Sequence, residues 1–114
     1  MATIDGVREL ALTLPRSYEV LVRDRVKFRV GSYVYLSFSR DEQRMGFAFP
    51  KEEREALVAS EPQKFSMPQA SDLRYNWVAV SLPAIDDGEM RELVLDAWSM
   101  VVPKAVAREY FEGR

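Results

Sequence analysis

Val22–Phe38, VRDRVKFRVGSYVYLSF, reads as two β-strands that meet at Gly31-Ser32. In the first, Arg23, Arg25, Lys27 and Arg29 alternate with Val22, Val26, Phe28 and Val30. Successive side chains of a strand point to opposite faces, so the pattern places four cations on one surface and apolar groups on the other. Glycine at the first central position suits a two-residue type II′ turn, which pairs Val30 with Tyr33 and Phe28 with Tyr35. The alternative is a three-residue turn, with the register shifted by one residue. That shift flips the second strand, so that Val34 and Leu36 join the apolar face. Turn chemistry favours the first register and hydrophobic pattern the second.

The rest of the chain frames this hairpin. Thr3 is a helix cap for residues 4–14, where Ile4, Val7, Leu10, Ala11 and Leu14 recur at helical spacing until Pro15. Residues 16–21 read as a crossing segment. Met45, Phe47 and Phe49 alternate with Arg44, Gly46 and Ala48 as a third strand. Pro50 suits the first position of a short helix, with Glu52 and Glu53 at its positive end. Residues 64–67 read as a short edge strand closed by Pro68. Tyr75–Leu82 is a strand with Val78, Val80 and Leu82 on one face and Tyr75, Trp77, Ala79 and Ser81 on the other. Asp86 and Glu89 have capping-box spacing, ahead of a helix carrying Met90, Leu93, Val94, Ala97, Trp98 and Val101. A last helix follows Pro103. The order α-β-β-β-α-β-β-α-α implies an α+β fold: a five-stranded, largely antiparallel sheet with helices packed on it.

The 114 residues suit one domain spanning 1–114, and the composition is that of an ordinary globular protein. The chain has no cysteine, which excludes disulfides, thiolate metal sites and thiol nucleophiles. It has no histidine either, which excludes an ordinary catalytic triad, the commonest metal ligand and the near-neutral pH switch. No apolar run reaches membrane-spanning length and Met1–Asp5 lacks the basic and apolar regions of a signal peptide, so the expectation is a cytoplasmic protein without a membrane partner. The net charge of −2 excludes a strong global field for nucleic acid, and any attraction to phosphate must come from a local patch.

Several segments carry a family likeness: Phe28-Arg29-Val30-Gly31-Ser32, Phe65-Ser66-Met67-Pro68, Asn76-Trp77-Val78-Ala79-Val80 and Ala97–Lys104. Together they resemble the MmcQ/YjbR family over nearly the whole chain. The resemblance implies a small domain with a five-stranded antiparallel sheet, similar to secretion chaperones and loosely to frataxin, and a DNA-binding role. Many members carry a Trp-Gly-His-Pro-like segment before the first strand; here that stretch is Val20–Arg25.

The candidate sites follow from these patterns. Arg23, Arg25, Lys27, Arg29 and Arg44 are the candidate phosphate contacts, with Arg offering paired donors. Tyr75 and Trp77 are candidate ligand or interface residues that offer ring faces to bases. No catalytic constellation, cofactor motif or metal-ligand spacing is present, so a binding module is expected rather than an enzyme. DNA is one expected partner. The other is a protein strand or a second copy of the chain, added at the edge marked by residues 64–67 and Pro68.

Overall fold

The computed structural model describes residues 1–113. Its sheet is antiparallel throughout and has six strands: β1 (Ser17–Val22), β2 (Arg25–Val30), β3 (Tyr33–Phe38), β4 (Arg44–Ala48), β5 (Phe65–Ser66) and β6 (Trp77–Ser81). Their spatial order is β1-β2-β3-β4-β6-β5. Four α-helices accompany them: α1 (Ile4–Ala11), α2 (Arg54–Ser60), α3 (Asp87–Ser99) and α4 (Lys104–Glu112).

The fold class is the α+β, antiparallel one expected, with one strand more than the sequence pattern indicates. The added strand is β1, formed by Ser17–Leu21 of the segment read above as a crossing and by Val22, read there as part of the hairpin. It pairs with β2 from Ser17 opposite Val30 to Val22 opposite Arg25. This leaves Arg23-Asp24 as a two-residue turn with φ of 51° and 66°. Positive φ at both central positions is the type I′ pattern, whose twist matches that of the strands. Arg23 therefore belongs to a turn, and only Arg25, Lys27 and Arg29 of the alternating cations belong to the strand.

The β2–β3 hairpin resolves its own conflict with a bulge. At the turn, Val30 faces Tyr33 and Arg29 faces Val34, as a two-residue connection requires; φ is positive at Gly31 (60°) and not at Ser32. The register then shifts by one residue, and Phe28 faces Leu36. One extra residue is thereby absorbed, and the apolar sides of both strands meet. Tyr35 and Leu36 are both fully buried. The Tyr35 hydroxyl and Ser17 Oγ share a hydrogen bond of 2.6 Å.

Beyond the bulge, Leu36 and Phe38 lie opposite Phe47 and Met45, which in turn face Val78 and Val80 of β6. These side chains form the covered face of the sheet, on which α3 packs, with α1 against α3. Thr3 caps α1 by accepting from the Gly6 N–H, and Asp86 caps α3 by accepting from the Glu89 N–H at 2.8 Å. The reciprocal half of the capping box is not made: the Glu89 carboxylate accepts from Lys64 Nζ instead. The α3 residue Trp98 is fully buried, donates from Nε1 to the Pro15 carbonyl at 2.9 Å, and meets the Tyr110 ring edge-on at 5.0 Å. Helix α2 begins at Arg54, later than Pro50, because residues 51–53 form a turn.

Candidate nucleic-acid interface

The opposite face of the sheet follows from the same registers. Arg25, Lys27 and Arg29 on β2, Ser37 on β3, Arg44 and Gly46 on β4, and Trp77 and Ala79 on β6 share it, because paired residues lie on one side. A groove of about 780 Å³ runs over this face. Its lining includes Arg25, Lys27, Ser37, Arg44, Gly46, Tyr75, Asn76 and Trp77. Five of the seven residues singled out from the sequence are thus brought together. The other two are not: Arg23 sits in the β1–β2 turn, and Arg29 does not line the groove. Arg29 is half-buried, and its Nε is a buried donor with no hydrogen-bond partner among the described residues.

Among the described residues, none of Arg25, Lys27, Arg29 and Arg44 forms an ion pair within 4.0 Å. Burial holds the Lys27 ammonium below its usual pKa, and the neighbouring Arg25 and Arg29 charges push the same way, while Asp72 opposes them. An arriving anion would relieve this strain on the charged form. Arg44 Nη1 donates to Ser66 Oγ at 3.0 Å, which draws its guanidinium from β4 across β6 toward β5. Glu19, which the sequence places close to these cations, faces the other side, opposite Phe28, and accepts from Arg8 at 2.9 Å.

Trp77 is set low in the groove by the residue beneath it. A Cβ built on Gly46 would lie 2.6 Å from Trp77 Nε1 and 2.9 Å from Cε2 and Cζ2. Only glycine leaves room for the indole there. Tyr75 is half exposed, and the Arg74 guanidinium carbon stands 4.9 Å from its ring centroid.

The wall that carries Tyr75 and Trp77 is tied down from α2. Arg54, only 8% exposed, donates from Nη1 to the carbonyl of Tyr75 at 2.9 Å and that of Trp77 at 3.3 Å, and from Nη2 to that of Leu73. The Lys51 N–H donates to Asn76 Oδ1 at 3.0 Å. Neither tie is legible from spacing along the chain. The isolated Gly46 within a strand was the one available sign that something approaches the sheet closely there.

This arrangement presents cations, hydroxyls and rings, and so suits an anionic, planar ligand. Among the described residues there is no cluster of His, Cys, Asp or Glu able to hold a metal ion, and no helix long and apolar enough to cross a membrane.

The family model described as YjbR matches residues 12–100. Among solved structures, this chain is similar to the crystal structure of a Deinococcus radiodurans protein with the family-model domain DUF419. The TM-score is 0.78 and the identity 24%, over 96% of this chain and 88% of that one. At that identity the likeness speaks for the fold. No curated protein sequence matches the chain.

Proposed function

The chain belongs to the YjbR family, and from that premise we propose that it is a DNA-binding module acting by binding alone, without turnover, in the cytoplasm. Arg25, Lys27 and Arg44 contact phosphates, and Trp77 and Tyr75 hold bases. One observation carries the reading: three cations in no ion pair among the described residues share a groove with the rings of Tyr75 and Trp77. Phosphate contacts supply most of the affinity of such surfaces, and ring faces accept any base. The test is fluorescence anisotropy of labelled DNA at low salt, comparing the natural chain with the double variant Arg25→Glu/Lys27→Glu. Loss of two charge-assisted contacts, with repulsion added, should weaken binding by about a hundredfold or more. Equal binding by the variant contradicts the reading.

A second reading rests on β1. It is a six-residue edge strand, and its Leu21 is 69% exposed. Addition of a strand from a second copy at β1, rather than at the two-residue β5, would cover that side chain. Sedimentation at rising concentration tests it: a dimer abolished by Leu21→Lys supports it, and a monomer throughout rejects it.

A further inference from the structure

Two hollows meet at Tyr33. One is the groove described above. The other, of about 680 Å³, lies beside the β2–β3 turn and reaches Arg16. Ser32, Tyr33, Met100 and Val101 line both, so they form the saddle between them. At this saddle Tyr33 is 67% exposed and Met100 42%. The two tyrosines of β3 differ in place: Tyr35 lies in the core at the bulge, whereas Tyr33 stands opposite Val30 at the turn end of the strand and is exposed there. Arg16, at the far end, is exposed and in no ion pair among the described residues.

We propose, building on the nucleic-acid reading above, that the ligand is a single strand whose track leaves the Arg25/Lys27 groove, crosses Tyr33 and ends in the second hollow. Tyr33 stacks a base on the saddle, and Arg16 binds a further phosphate. The sequence of groups along the track is cation, ring, cation, which is the alternation of a single-stranded chain. In a duplex the base faces are stacked on one another and unavailable to a tyrosine, whereas an unpaired base lies open to it. The surface is also a hollow. A major groove is entered by a protruding helix or ribbon, whereas a hollow receives a strand.

The test uses thymidine oligonucleotides of about four and about sixteen nucleotides, the two ends of the range covered by single-strand-binding folds. A duplex of the longer length and polyglutamate serve as competitors. The long strand should bind more tightly than the short one, and neither the duplex nor polyglutamate should displace it. Tyr33→Ala and Arg16→Ala should each weaken the long strand by about tenfold, the scale of one lost stacking or phosphate contact, and Tyr33→Phe should restore the stacking loss. Both side chains are exposed, and unchanged melting temperatures confirm that the variants fold. If Arg25→Glu/Lys27→Glu abolishes binding while Tyr33→Ala and Arg16→Ala bind like the natural chain, the extended track is wrong and the groove reading survives. Displacement by duplex or by polyglutamate also overturns the single-strand assignment. If no strand binds at low salt, both readings fall.

Discussion

Lys27 and Phe28 are neighbours on one strand, and they open onto faces of the sheet that treat charge in opposite ways. On the side of Phe28, charges at the margin of the core have partners. Arg8 meets Glu19 and Asp5, each at 2.9 Å, and Lys64 meets Glu61 and Glu89. On the side of Lys27, three cations in no ion pair among the described residues line a groove. Arg54 shows that the fold has another means of satisfying a guanidinium, since three backbone carbonyls receive it. The open face is therefore distinguished by an excess of cations, Arg25, Lys27 and Arg44 against the single acid Asp72 of the groove lining. Surfaces that bind phosphate need that condition, and surfaces that only need solubility do not.

The largest expected effect on this contrast comes from Arg54, the tie behind the groove wall. Arg54→Met strips the Leu73, Tyr75 and Trp77 carbonyls of their donor and should cost about 3 kcal/mol, read as a lower urea midpoint. It should weaken DNA binding as well, because Tyr75 and Trp77 lose their placement.

Next comes the covered face. Burial pushes the Tyr35 phenol up to about 12, with the Ser17 hydrogen bond opposing in part. The unfolded chain then loses this proton first, from about pH 10, so stability is untouched below that pH and falls as pH rises toward 12. The loss should reach about 2–3 kcal/mol, and Tyr35→Phe should remove that part of the alkaline slope. On the open face the lowered pKa of Lys27 acts in the opposite sense, adding stability as pH rises, so a Lys27 variant should steepen the alkaline loss and not remove it.

Gly46→Ala fills the space beneath Trp77. Overpacking should cost about 2 kcal/mol and move the indole, read as a shift in tryptophan emission together with weaker DNA binding. The smallest effect sharpens the charge imbalance. Asp72 is the acid whose charge acts on Lys27 within the groove. Asp72→Asn should tighten DNA binding by about threefold, in keeping with a single exposed charge.

Much of the covered face was legible in the sequence, because its signals are local and redundant. Thr3, Asp86 and Pro103 mark helix starts, and Val78, Val80, Phe47 and Met45 alternate as a half-buried sheet must. Strand β1 was hidden for two reasons. Val20-Leu21-Val22 does not alternate, and the turn after it is Arg23-Asp24, which lacks the Gly or Asn that usually announces a type I′ turn. The bulge was hidden because two local rules disagreed at Gly31-Ser32, and only packing could admit both. Of the groove lining, Arg25, Lys27, Arg44 and Trp77 were singled out by residue type and strand parity, and Tyr75 by residue type alone, since β6 starts at Trp77 and not at Tyr75 as the pattern implied. The Arg54 tie, the Gly46 recess and the Tyr33 saddle depend on contacts between segments distant along the chain, which no spacing encodes.

The most direct test of the cation-rich open face is the salt dependence of binding to a thymidine strand of about four nucleotides. Three phosphate contacts on a single strand predict a slope of log K against log salt of about −2, falling to about −0.7 when Arg25 and Lys27 are both changed to Ala. A slope near zero, or one that the double variant leaves unchanged, would contradict the account.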